Sequence, residues 1–278
     1  MYHHYQTGGI FLGKENRGEA NQLFFIFTEQ FGAIEVLARA IRKITSKLRS
    51  DANLFSLAQI EFIQGKNYKT LTDIVTLDKW SLVRQDTAKL ALAQKISQVI
   101  AQLIIHPQKD SQVWELLLQC FYFLNGHQPV VAIPQNAGEA ISVLAMERGI
   151  ASRPAAARND YDVSQLVYYY FLWNLLKLLG YSPQLYNCPL CGERIKPQIF
   201  YLAPQAGGFV CGPCASRLNV LETPKEFIKV NTVKLLRIFL QKPITILSRL
   251  KIEEQDIANL ADICQFQLNH FQANQKEL

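Results

Sequence analysis

The sequence predicts an α+β fold in which a small five-stranded barrel opens the chain and helices with an inserted four-cysteine module follow. Three observations predict it. Short strand-forming runs separated by turn residues fill the first eighty residues, and helical spacing takes over after Trp80. Two Cys-x-x-Cys pairs then interrupt the helical part.

The expected strands are Gly9 to Leu12, Gln22 to Thr28, Ala33 to Ala38, Leu54 to Ile63 and Lys69 to Leu77, each rich in apolar or β-branched residues. Turn signals separate them at Arg17-Gly18-Glu19-Ala20-Asn21, Phe31-Gly32 and Gln64-Gly65-Lys66-Asn67. Five such strands fit a closed barrel, because closure removes the exposed edges that lead to aggregation. An oligonucleotide-binding (OB-fold) barrel is the first candidate, and an SH3-like barrel has the same strand count.

From Thr87 to Ile105, Leu90, Ala93, Ile96, Ile100 and Leu103 recur at helical spacing, and His106-Pro107 ends the run. Val113 to Leu124 continues, with Asn125-Gly126 as its stop. Gly138 to Arg148 and Val163 to Leu179 read as two more helices. The aromatic run Tyr168 to Phe171 with Trp173 has two readings, a base-stacking surface or a packed core; crowding on one long helix favours the core. Helices resume from about Asn231, with one apolar face at Leu235, Leu236, Phe239 and Leu240. A second face carries Ile257, Leu260, Ile263, Cys264, Leu268 and Phe271. The expected domains are therefore 1–80 for the barrel and 81–278 for the helical part, with the cysteine module at about 186–216.

Cys188, Cys191, Cys211 and Cys214 form two pairs with nineteen residues between them. Four thiolates at this spacing can close a tetrahedron around zinc and leave no position for a reactive water, so the site is expected to be structural. Gly192 and Gly212 are expected to give the two turns positive φ. Cys120 and Cys264 fall within apolar helical patterns and are expected to be small buried hydrophobes.

With 49% hydrophobic residues over 278, the chain can bury sizeable cores. No run matches the roughly 18 uninterrupted apolar residues of a membrane span. The N-terminus shows no basic region leading into an apolar stretch, so the expected location is the cytoplasm. The net charge of +6 is modest, but it is clustered. Arg39, Arg42, Lys43, Lys47 and Arg49 have no acid among them, and between Arg217 and Lys251 eight Lys and Arg face only Glu222 and Glu226. A basic run is either a solvated face or a phosphate-binding surface. No phosphate-loop motif and no Gly-x-Ser-x-Gly occurs, and the five histidines have no carboxylates at metal-ligand spacing, so neither a nucleotide cofactor nor catalysis is expected.

The order barrel, helices, four-cysteine module, helical tail resembles the bacterial recombination mediator family RecO. Gly9-Ile10-Phe11-Leu12 followed by Gly18-Glu19-Ala20-Asn21-Gln22-Leu23 is similar to the family's first strand, turn and second strand. Phe27-Thr28 with Phe31-Gly32 fits its hairpin, and Leu37-Ala38-Arg39-Ala40-Ile41-Arg42-Lys43 resembles its small-residue and basic segment. Leu71-Thr72-Asp73, the run Leu179 to Leu185 before Cys188, and Gly207-Gly208-Phe209-Val210-Cys211 complete the resemblance over nearly the whole chain. Asn21 stands where the family usually has an acid, and Ala40 where a glycine is common. Some members lack the cysteines; all four are present here.

The resemblance implies a non-enzymatic protein, nucleoid-associated in the cytoplasm, that binds single- and double-stranded DNA and anneals complementary strands. It also implies partnership with RecR in loading RecA onto strands coated by single-stranded DNA-binding protein. On this reading Arg39, Arg42, Lys43, Lys47 and Arg49 contact DNA, with Lys14, Arg17, Lys66 and Lys69 as weaker candidates. Lys225, Lys229, Lys234 and Arg237 would extend the DNA track or receive a partner. A protein-interaction scaffold of the same fold, or a zinc-ribbon nucleic-acid enzyme, are the alternatives.

Overall fold

The computed structural model describes residues 3–66, 68–104, 106–127, 163–195, 200–218 and 225–275. The chain divides into two compact units, Met1–Arg158 and Asn159–Leu278. The first unit therefore extends past residue 80, where strand pattern gives way to helix.

In the first unit, β1 (His4–Arg17), β2 (Asn21–Thr28), β3 (Gly32–Ala38), β4 (Leu57–Gln64) and β5 (Lys69–Asp78) form the closed barrel β1-β2-β3-β5-β4. All neighbours are antiparallel except β3 and β5, whose parallel pairing (Val36 with Lys69, Leu37 with Thr70) closes the barrel. Phe11, Phe24, Ile26, Ile34, Val36, Ile60 and Phe62 fill its interior. Strand β1 is far longer than its apolar centre, because its polar ends pair with β4 on one side and β2 on the other. Strand β4 starts three residues later than expected. Phe55 has φ 54°, outside the β region, and the ladder begins at Leu57.

Strand β1 carries a bulge between Phe11 and Gly13. Leu12 falls out of the β2 ladder there, and its carbonyl accepts the Ser97 hydroxyl at 2.7 Å in a buried bond. That bond docks α2 (Thr87–Leu103) on the barrel; α1 (Ser81–Gln85) and α3 (Ser111–Leu124) complete the unit. The Asp86 and Asp110 carboxylates accept the first free amides of α2 and α3, fixing both starts. Buried Trp80 stacks on Phe121 with centroids 4.7 Å apart, and Phe121 also stacks on Phe55. Cys120 is fully buried beside it, as expected for a small hydrophobe. The helix expected over 138–148 lies outside the described residues.

In the second unit, α4 (Ser164–Leu178) packs with α6 (Val230–Gln241) and α7 (Glu254–Gln275). Tyr170, Phe171 and Trp173 are buried in the helical core, while Tyr168 and Tyr169 are half-buried. Asn174 donates to the Phe239 carbonyl at 3.0 Å, and the Trp173 indole N–H donates to the Cys264 sulfur at 3.2 Å. A three-stranded sheet β7-β6-β8 joins β6 (Phe200–Ala203), β7 (Gly208–Cys211) and β8 (Lys225–Ile228), with α5 (Gly212–Ala215) after β7. No helix among the described residues is long and apolar enough to cross a membrane.

Candidate nucleic-acid interface and metal centre

The connection from β3 to β4 is where the barrel presents positive charge. Arg39, Arg42, Lys43, Lys47 and Arg49 are all exposed, and none forms an ion pair among the described residues. Apolar residues between them explain the outward aim. Ile41 is 2% exposed within the barrel core, and Leu48, on the 3-10 turn Lys47–Ser50, packs against the same cluster. With these two anchors turned in, the neighbouring cations turn to solvent. Ala52 and Leu54 continue the anchoring.

Polar bonds hold the connection at both ends. The Asn21 side-chain oxygen accepts the Ala40 N–H at 2.8 Å, and the Arg42 N–H donates to the Ala20 carbonyl at 3.0 Å. Ala40 itself sits at φ 53°. At the far end, Asp51 accepts the Ser50 hydroxyl and the Thr76 hydroxyl, each at 2.7 Å. These two bonds hold the Asp51 carboxyl below its usual range, Ser50 contributing most. The surface is thus ordered before any ligand arrives, which reduces the entropy cost of binding.

One strand turn shares this end of the barrel. The β1–β2 turn adjoins it through the pairing of Gln22 with Ala38, and the Arg42 guanidinium donates to the Gly18 carbonyl at 3.4 Å. The β4–β5 turn lies elsewhere: β5 runs parallel to β3 from Lys69 opposite Val36, so the turn before it falls back towards the start of β3, and the connection meets β5 further on, at Thr76. Lys14 and Lys66 are exposed, Lys69 is half-buried, and Arg17 is paired with Glu15 at 3.2 Å. Two apolar side chains of the barrel's connections are exposed: Ile44 (90%) in the basic connection and Tyr68 (49%) in the β4–β5 turn. Charge-based reading of the sequence passed over both, although an aromatic between lysines in a polar turn was a usable signal.

The second basic group divides. Lys234 is exposed and Lys229 half-buried, while only the backbone of Lys225 is described, as the start of β8. Arg237 has a different role. Its Nε and Nη2 both donate to the Leu185 carbonyl, and its guanidinium lies 4.5 Å from the centroid of the Tyr186 ring. It ties α6 to the segment leading into Cys188.

The four cysteines come together. The sulfurs of Cys188, Cys191, Cys211 and Cys214 all lie within 4.8 Å of one another, and those of Cys191 and Cys211 are 3.8 Å apart. With metal–sulfur arms of about 2.3 Å, the corners of a tetrahedron lie about 3.8 Å apart, so the quartet fits a metal ion. The first pair is a tight knuckle: the Gly192 N–H donates to the Cys188 carbonyl at 2.8 Å, and the Cys188 N–H to the Glu193 carbonyl at 2.9 Å. Gly192 makes it possible at φ 75°. Gly212 does not share that conformation, contrary to expectation. It opens the short helix α5, where Pro213 sets a helical first turn. Burial raises the Cys188 thiol, but backbone bonds from Cys211, Cys191 and Leu190 outweigh it and bring the group down to about 6.

Comparison with known proteins gives one result throughout. The family profile described as "Recombination protein O N terminal" matches residues 1–80, and "Recombination protein O C terminal" matches residues 157–270. A protein named DNA repair protein RecO from Dehalococcoides mccartyi (strain BAV1) is 26% identical over 259 residues, covering 93% of this chain and 87% of its own. One of the same name from Roseiflexus sp. (strain RS-1) is 26% identical over 266 residues, covering 96% and 80%. Another from Moorella thermoacetica is 29% identical over 211 residues, covering 76% and 66%.

Proposed function

The chain belongs to the RecO family, whose members act in DNA repair and recombination, and from that premise we propose that it is a non-enzymatic mediator working on DNA through its barrel. Single- and double-stranded DNA would bind along Arg39, Arg42, Lys43, Lys47 and Arg49. The observation that carries this reading is the ordered display of five cations, none in an ion pair among the described residues, on a connection anchored by Ile41 and Leu48. Contacts of this kind reach phosphates and not base edges, so affinity is independent of sequence and falls steeply with salt. That suits a protein that must act on any damaged strand. Annealing then needs no bond chemistry: neutralising phosphate repulsion while two strands meet is enough. RecR and single-stranded DNA-binding protein would be its partners in loading RecA, with half-buried Lys229 and exposed Lys234 as candidate partner contacts. The site of action would be the cytoplasm, at the nucleoid.

The cysteine quartet would hold zinc. Four sulfur donors suit zinc and fill its coordination shell, so the ion braces β7, α5 and the Cys188 knuckle without entering any reaction. The test is a titration of labelled single-stranded DNA at two salt concentrations, with wild type and the Arg39→Ala/Arg42→Ala/Lys43→Ala variant. Wild type should bind with marked salt dependence and the variant far more weakly. Equal, salt-insensitive binding would instead favour a barrel that serves as a protein scaffold.

A further inference from the structure

We propose that Phe55 is a positioning residue for DNA contact: its ring, stacked on Phe121, fixes the returning end of the basic connection and so sets where Lys47 and Arg49 stand. The inference rests on the DNA-binding reading above and gives a role to buried rings that touch no ligand. Backbone strain is the first observation. Glycines aside, only Ala40, Phe55 and Trp80 among the described residues have positive φ, at 53°, 54° and 39°. Ala40 lies just past the end of β3 and Phe55 just before the start of β4, so the connection leaves and rejoins the barrel through left-handed residues. A bulky side chain keeps such a backbone only where its surroundings over-determine it.

The surroundings of Phe55 are rings. Its centroid lies 6.1 Å from that of Phe121 with the planes 21° apart, and Trp80, itself left-handed, lies against Phe121 at 4.7 Å and 11°. All three rings are buried, and Phe121 belongs to α3. The strained residue is thus held by a helix and not by the connection itself. Its N–H also donates to the Phe11 carbonyl of β1 at 2.8 Å. Two further bonds carry this fixed position to the cations. The Ser56 hydroxyl donates to the Asn53 carbonyl at 2.7 Å, and the Asn53 side-chain amide donates to the Ser50 carbonyl at 2.8 Å. Ser50 ends the 3-10 turn that bears Lys47 and Arg49. Arg39, Arg42 and Lys43 belong to the other end, which Asn21 holds through Ala40. The ring stack therefore acts on two of the five cations.

The test follows anisotropy of a labelled oligo-deoxythymidylate strand over a range of salt, with Phe121→Leu, Lys47→Ala/Arg49→Ala and their combination. Phe121→Leu should weaken binding and make the slope of log affinity against log salt shallower by up to about 1.4, the share of two phosphates on a single strand. Combined with Lys47→Ala/Arg49→Ala it should cost nothing further, whereas its loss should add to that of Arg39→Ala/Arg42→Ala/Lys43→Ala. A residue that merely stabilises the fold would show no such selectivity. Urea midpoints establish that each variant is folded; where Phe121→Leu is not, Phe55→Gly carries the same comparison, since glycine takes φ 54° without strain but has no ring to clamp. A folded variant with unchanged affinity and slope, or losses that add to those of Lys47→Ala/Arg49→Ala, overturns the proposal while leaving the DNA-binding reading intact. Failure of wild type to bind the strand overturns both.

Discussion

The Asn21 side-chain oxygen accepts the Ala40 backbone N–H at 2.8 Å, joining the β1–β2 turn to the first residues of the basic connection. Both residues belong to the stretches that resemble the RecO family, and the structure brings them into contact. An acid at position 21 would offer the same acceptor oxygen, so asparagine keeps the bond. Ala40 adopts the left-handed backbone that a glycine takes without strain. Asn21→Asp should leave stability unchanged or slightly raised. Asn21→Ala should cost roughly 1 kcal/mol by removing the acceptor of a part-buried amide. Ala40→Gly should gain up to about 1 kcal/mol by relieving the left-handed strain. Urea midpoints at constant m-value check all three.

The basic connection makes a quantitative prediction about salt. Each phosphate neutralised on a single strand contributes about 0.7 to the slope of log affinity against log salt. If Arg39, Arg42 and Lys43 each engage one phosphate, replacing all three by alanine should make the slope shallower by about 2. Loss of affinity without a change of slope would mean that the cations act by holding the loop and not by meeting DNA.

Asp51 gives the connection a mild acid sensitivity. Its folded-state carboxyl titrates below the ordinary value because Ser50 and Thr76 donate to the ionised form. The stabilisation is therefore fully present above the ordinary carboxylate range and is lost as pH falls through the depressed value. The difference in urea midpoint between wild type and Asp51→Asn should be constant near neutral pH and shrink towards zero in acid. A difference that grows on acidification would contradict the assignment.

What the sequence revealed follows from what each signal measures. Hydrophobic alternation located all five barrel strands, and 3.6-residue spacing located α2, α3, α4 and α6 within a few residues. It did not reveal the length of β1, whose polar ends are strand only because β2 and β4 lie on either side. Nor did it reveal β8, four residues in a basic stretch that become strand by pairing with β6. Cysteine spacing carried the quartet, since ligand geometry is encoded in local turns. Charge counting reached the cations but not their uses. Arg39 and Arg237 look alike in sequence; one faces water, and the other is spent on a carbonyl and a ring.

That distinction at Arg237 can be measured. Its planar guanidinium gives two bonds to one carbonyl and lies near Tyr186, a geometry that an ammonium cannot reproduce. Arg237→Ala should destabilise the second unit by roughly 1–3 kcal/mol, and Arg237→Lys should recover only part of that. Affinity for single-stranded DNA should not change in either variant, as followed by the same anisotropy titration. A DNA-binding loss with unaltered stability would return Arg237 to the DNA track.

The metal prediction separates the two units. If the quartet holds zinc, metal analysis of the purified protein should find one ion per chain, and Cys188→Ser should lose it. The consequences should be local, because the ion joins only the Cys188 knuckle to β7 and α5. Hydrogen exchange should therefore rise across 184–195 and 208–216 in the variant or after chelation. The barrel amides should stay protected, since Phe11, Phe24 and Ile60 are packed without any help from the cysteines. The salt slope for DNA should persist as well, because the cations that set it hang on Ile41 and Leu48. Loss of that slope on metal removal would place the DNA contacts at the cysteine module and not on the barrel.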